Sequence, residues 1–216
     1  MLVPHSSSLI LLGTLIAVVF LLVLNEYRKY TKNLRRERDY YKTLASVDTL
    51  TGVGNRRSLD SRLEEEIDRA IRQKNSLCFA LIDVDKFHDV NLRLGHAQAD
   101  IVLRLLADAI KSSIRKSDHV FRFGGDEFAV VMTNTNITKA QEVAKRIFDA
   151  IESDPILFEN HISISAGLTE FPNSDFNLVD FRVDHSLLAS DTINQASFAL
   201  LNKAKNGTGI AVHNGT

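Results

Sequence analysis

Apolar and polar positions follow three successive patterns along this chain. From Ser6 to Leu24, "SSSLILLGTLIAVVFLLVL" runs 19 residues without a charge, close to the roughly 20 that carry a helix across a bilayer. Residues 25–47 contain no Gly or Pro and place Tyr27, Tyr30, Leu34, Tyr41 and Leu44 at alternating three- and four-residue spacings, with Glu37 in the slot between. That spacing predicts a helix with a short coiled-coil seam, and a solvated basic helix along anionic headgroups accounts for it equally well. From Asp48 onward the pattern becomes globular, with apolar runs of strand length alternating with amphipathic segments.

In that third region Leu59, Leu63, Ile67 and Ile71 recur along one face of a helix predicted over 58–73, and "LCFALIDVD" reads as a buried strand. A second amphipathic helix, "AQADIVLRLLADAIKSSI", leads into a hairpin, "HVFRFGGDEFAVVMT", with its turn at the glycines. A helix "TKAQEVAKRIFDAIES", a strand "HISISAGLTEF", a less regular stretch from Pro172 to Ser190, a last helix ending near Ala204 and a short strand "GIAVH" complete the chain. The order βαββαβ predicts an α/β (α+β) fold, an antiparallel-containing sheet with helices on one or both faces. The domains expected are a transmembrane helix over 6–24, a basic helical linker over 25–47 and a globular domain over 48–213.

Charge changes this picture in two ways. The net charge of −1 carries no basic excess, so nucleic acid is not an expected partner. Locally, residues 25–47 hold seven Lys or Arg against three acids, and positive residues flanking a span stay on the cytoplasmic side. The expectation is a single-pass protein of the inner membrane with its globular domain in the cytoplasm. The lone cysteine, Cys78, lies in an apolar run and fits a small buried hydrophobe in a reducing compartment.

The candidate chemistry lies in the carboxylates. Asp83 ends the buried strand, while Asp126 and Glu127 follow Gly124 and Gly125 in the hairpin turn. If those strands pair, three acids converge and repel one another unless a divalent cation neutralises them, and oxygen-only donors favour Mg²⁺ or Mn²⁺. The glycines leave room for a nucleotide against the backbone, and a loop "DKFHD" from Asp85 offers N–H groups to phosphates. These features suggest nucleotidyl transfer, with a carboxylate helping to deprotonate an attacking hydroxyl.

The string Gly124–Phe128, together with "DTLTGVGNRR" and "DVDKFHDVNLRLGH", resembles the motifs of the GGDEF-domain diguanylate cyclases over roughly residues 48–213. The resemblance implies a nucleotidyl-cyclase, palm-like fold and a product, cyclic di-GMP, made from two GTP with loss of two pyrophosphates by a homodimer. It implies metal binding by Asp83, the Val84 carbonyl, Asp126 and Glu127, with Asp126 the candidate base. Asn91 and Asp100 would read the guanine edge, Gly124 and Gly125 would lie against the nucleotide, and Phe87 and His88 would belong to the substrate side. "RKSD" has the RxxD pattern of the family's inhibitory product site, Arg115 and Asp118, with Arg146 as helper.

Several positions depart from the family pattern. His88 stands for Lys, Leu92 for Asp and Ala99 for Gly. In the last helix Ser197, Leu201, Ala204 and Thr208 replace Asp, Tyr, Lys and Arg, and Lys203 and Lys205 flank the lost lysine as substitute phosphate contacts. Two functions follow as alternatives: a membrane-anchored cyclase, or a degenerate domain that binds cyclic di-GMP or GTP without turnover.

Overall fold

A computed structural model describes residues 5–44, 46–172, 184–204 and 209–213, without the side chains of 5–14, 35–44, 203 and 204. Its contacts divide the chain into two units, Met1–Ala45 and Ser46–Thr216. The first is a single helix, α1 (His5–Leu44). Along it Leu15, Phe20, Leu22, Tyr27, Tyr30 and Leu34 are exposed. Among the described residues no helix is long and apolar enough to cross a membrane; side chains 6–14 of the expected span, and Glu37, Tyr41 and Leu44 of the expected seam, lie outside them.

The second unit is built on one six-stranded sheet. In chain order its elements are β1 (Gly54–Asn55), α2 (Arg56–Gln73), β2 (Leu77–Val84), α3 (Phe87–Leu94), α4 (His96–Ser113), β3 (His119–Gly124), β4 (Glu127–Thr133), α5 (Ile137–Ser153), α6 (Pro155–Glu159), β5 (Ile164–Phe171), α7 (His185–Ala204) and β6 (Gly209–Val212). The strands lie in the order β1-β3-β4-β2-β5-β6. The central strands β3, β4, β2 and β5 are antiparallel, and the short edge strands β1 and β6 add on in parallel.

Helices cover both faces, which explains why β2 reads as a continuous apolar run rather than an alternating one. Cys78, Ala80, Ile82 and Val84 point into one core with Phe128, Val130 and Met132 of β4, under α4 and α5. Leu77, Phe79 and Leu81 point into the other with Ala129 and Val131, under α2 and α7. The α2 stripe buries Leu59, Leu63 and Ile67 as expected, joined by Ala70, while Ile71 packs only at the margin. Helix starts follow local chemistry: the Asn55 and Asn136 side chains accept from the N–H groups of Ser58 and Lys139, capping α2 and α5.

Two expectations change. The segment after Asp85 is not a loop, because Phe87–Leu94 forms α3. Val90 is buried in it, and Phe87 and Leu94 on the same face pack partly against the core, so a short apolar stripe and the contact with α4 across the Gly95 corner hold the helix. Of the stretch expected to be irregular, Pro172 to Ser190, residues 173–183 lie outside the described residues, and its end from His185 is already the first turns of α7.

Candidate active site

The antiparallel pairing of β2 with β4 sets Asp83 directly opposite Glu127. Residues opposite each other in such a ladder project to the same face, so the two acids meet at one end of the sheet. Asp126 precedes them in the turn, partly buried like Glu127. Burial first, then the charges of Asp126, Glu127 and Asp85, push Asp83 up to about 6. Glu127 is also raised, by burial and by Asp126, against the opposing charge of Arg56.

A bound cation would relieve this electrostatic strain. All the donors are oxygens, the facing acids repel, and Asp85 keeps a buried Oδ2 without a hydrogen-bond partner. Such a set fits a hard divalent cation, Mg²⁺ or Mn²⁺. The arrangement is narrower than the sequence suggested: among the described residues no three His, Cys, Asp or Glu side chains form a ready-made metal cage. It is a facing pair with Asp126 as a third, electrostatically coupled acid, because Asp126 sits in the turn and outside the β2–β4 ladder. Val84, the expected carbonyl ligand, is buried at the end of β2.

The residues expected on the substrate side lie in the turn, on α3 and on α4. Gly125 takes a left-handed φ of 47°, and a side chain added at Gly124 or Gly125 would meet almost nothing, the nearest atom being Glu127 Oε2 at 3.9 Å from Gly124. The backbone there presents an open surface. Phe87 opens α3 and packs partly into the core, while His88 is exposed. Lys86, the residue before α3, makes no side-chain cap, so the first N–H groups of α3 suit an anion. Asn91 in α3 and Asp100 in α4 lie on either side of the Gly95 corner, both partly buried. The Lys203 side chain and Lys205 lie outside the described residues.

The expected product site lies elsewhere, and its acid has a structural duty. Asp118 is only 6% exposed; its carboxylate accepts from the Arg115 N–H at 3.1 Å and the Thr133 N–H at 3.3 Å. Arg115 is exposed, and Arg146 reaches the same corner by donating to the Ser113 carbonyl at 3.0 Å. Ser117 also lines a cleft of about 340 Å³ with Arg62, Glu66, Arg69 and His119. Leu77, another lining residue, is six positions from Asp83 along β2, so the cleft is about 20 Å from the paired acids.

Sequence reasoning missed four contributors here. Ser165 on β5 donates to Asp85 Oδ1 at 2.7 Å. Arg56 lies over the Phe123 ring, 3.7 Å from its centroid, and binds Asp60 at 3.0 Å. Glu66 is buried between Arg62 and Arg69 with Oε1 lacking a hydrogen bond. Arg122 joins the turn to Asp48.

The comparisons agree with this geometry. The family model described as diguanylate cyclase, GGDEF domain, matches residues 45–190. Diguanylate cyclase DgcP of Pseudomonas aeruginosa is 35% identical over 147 residues, 66% of this chain and 22% of that protein. The probable diguanylate cyclase DgcJ of Escherichia coli is 31% identical over 166 residues, 77% of this chain and 32% of that protein. This chain thus spans a third or less of either relative's length. The crystal structure of diguanylate cyclase SiaD with its activator SiaC, from Pseudomonas aeruginosa, superposes with a TM-score of 0.65 at 27% identity, covering 95% of this chain and 78% of that one. With the family match spanning more than half of the sequence and the paired acids at the sheet end, this chain belongs to the GGDEF-domain diguanylate cyclase family.

Proposed function

We propose that the protein condenses two GTP into cyclic di-GMP with release of two pyrophosphates, as a Mg²⁺-dependent homodimer anchored in the inner membrane by one N-terminal helix. The observation that carries this reading is the Asp83–Glu127 pair, whose mutual repulsion a bound cation would relieve. Asp83, Glu127, Asp126 and the Val84 carbonyl would hold it. When bound, the ion would neutralise phosphate charge and favour departure of pyrophosphate. Asn91 and Asp100 orient the base, the N-terminus of α3 receives phosphate oxygens, and Asp126 takes the proton of the attacking hydroxyl. The uncharged run 6–24 and the basic stretch after it support the anchor and the cytoplasmic position of the site. The test is whether the purified full chain in detergent, given GTP and Mg²⁺, forms cyclic di-GMP and pyrophosphate; GTP bound but unconverted would overturn the reading.

A second reading, a receptor without turnover, is supported by His88 and Leu92, both exposed on α3, with Leu92 73% exposed, at positions where the resemblance implies Lys and Asp. A charge-assisted contact to phosphate contributes roughly 1.5–3 kcal/mol. His88→Lys is therefore expected to lower KM for GTP severalfold with little change in kcat. Tighter GTP binding without product would favour the receptor.

Product inhibition through Arg115 is part of the proposal. Arg115→Ala should keep the initial rate and the melting temperature but lose inhibition by added cyclic di-GMP. Asp118→Ala should lose inhibition and also lower stability by about 1–3 kcal/mol, because two backbone donors lose their acceptor. Inhibition curves and thermal melts of the two variants check both statements, and unchanged inhibition in Arg115→Ala would reject the site.

A further inference from the structure

The turn bearing Asp126 and Glu127 has an irregular backbone ladder. β3 and β4 pair as far as Arg122 opposite Phe128, then the register shifts so that Gly124 faces Glu127 and Phe123 is left over. A bulge of this kind leaves a residue unpaired and bends its strand. Two glycines follow, the residues with most backbone freedom to lose. Something else must hold this turn if its acids are to keep one geometry.

Arg122 does so. Its Nε and Nη2 both donate to the Gly125 carbonyl, at 2.9 and 2.7 Å. Its Nη1 spans to Asp48, 3.2 Å from Oδ1 and 3.4 Å from Oδ2. Asp48 is fixed in turn: its Oδ1 accepts from the Thr51 N–H at 2.9 Å and the Thr51 hydroxyl at 2.6 Å. Its backbone closes the 48–53 turn through bonds with Val53 and Gly52. Both side chains of the ion pair are well shielded, 17% and 21% exposed.

We propose that Arg122, braced by Asp48, is a positioning residue that sets the direction of Asp126 and Glu127. A peptide unit is planar, so two donors fixing the Gly125 carbonyl also fix the Asp126 N–H and the path into its Cα. A guanidinium can hold a carbonyl on one edge and a carboxylate on another, which a lysine ammonium cannot match in geometry. Arg122 touches neither the nucleotide nor a cation in this role; it acts through the backbone of the residues that do. The inference draws on the cyclase reading only for its kinetic measurement.

The test compares the full chain with Arg122→Gln, Arg122→Lys and Asp48→Asn. Hydrogen exchange of amides 124–127, without any metal, should speed up about tenfold or more in Arg122→Gln and less in Arg122→Lys. Affinity for Mn²⁺ alone, by calorimetry, should fall about ten- to a hundredfold with loss of the charge-assisted bonds. Under turnover kcat should fall by a similar factor while KM for GTP moves less than about threefold, since the base contacts are untouched. Unchanged exchange and Mn²⁺ affinity in a folded Arg122→Gln would overturn the inference, even if kcat dropped. Should that variant not fold, Asp48→Asn decides by the same measurements. If the unmodified chain makes no cyclic di-GMP yet exchange and Mn²⁺ affinity respond as stated, the positioning role stands and the cyclase reading falls.

Discussion

Asp83→Asn should abolish cyclic di-GMP synthesis and, in the absence of divalent cation, give a protein more stable than the unmodified one. The half-buried Asp83 carboxyl titrates near 6 in the folded chain, from an ordinary value of 3.8, because of burial and the neighbouring acids. A carboxyl raised in this way binds its proton more tightly when folded. The chain therefore loses stability as pH rises from about 4 through 6, and carries the full penalty above that. Two pH units correspond to about 3 kcal/mol, and solvent screening at a half-exposed group reduces this to about 1–2 kcal/mol. At pH 7.5 with chelator the variant should melt about 2–8 °C higher, using roughly 2–4 °C per kcal/mol for a domain of this size. At pH 4 the advantage should shrink, because Asp83 is then mostly protonated. Millimolar Mg²⁺ should raise the melting temperature of the unmodified protein and leave the variant unmoved. Melts across pH with and without Mg²⁺ check each part, and a variant less stable at every pH would show that Asp83 is not strained by its neighbours.

The same acids show what was legible in the sequence. Asp83 lay at the end of an apolar run and Glu127 beyond two glycines, so their facing needed only that β2 and β4 pair, which they do; Asp126 stays in the turn outside that ladder. The amphipathic helices and the hairpin were legible because burial on one face leaves a period in the residue types. α3 left only a short one, Phe87, Val90 and Leu94 within eight residues, too brief to set it apart from a loop. β1 has two residues and owes its existence to pairing with Phe121 and Arg122. The Arg122–Asp48 and Ser165–Asp85 contacts join residues 74 and 80 positions apart, and a polar side chain carries no mark of a partner so distant. Arg122 could equally have faced water, and only the position of the 48–53 turn beside the hairpin gives it a duty.

Two glycines should separate stability from chemistry. Gly167 in β5 sits beneath α7 so closely that an added Cβ would lie 2.1 Å from the Ala196 carbonyl oxygen and 2.6 Å from the Leu200 nitrogen. Both are backbone atoms of a helix, so no rotamer change relieves the clash, and α7 itself must move off the sheet. That helix is committed there by buried Ala189, Ile193, Ala196 and Leu200, and by a 2.8 Å bond from Thr169 to Gln195. Forcing it away opens a packed core at interior density, so Gly167→Ala should cost about 3 kcal/mol, the upper part of the range for overpacking. The melting temperature should fall by about 6–12 °C. If Lys203, near the end of α7, is a phosphate contact, KM for GTP should also rise in whatever fraction remains folded. Gly124→Ala is the counterpart: its Cβ would meet only Glu127 Oε2 at 3.9 Å, so the melting temperature should stay within about 1 °C, as for a surface substitution. If the nucleotide lies against that backbone, activity should nevertheless collapse. Thermal melts and initial rates of the two variants side by side give the answer; equal melting temperatures would mean that α7 yields at little cost, and full activity in Gly124→Ala would move the nucleotide off the turn.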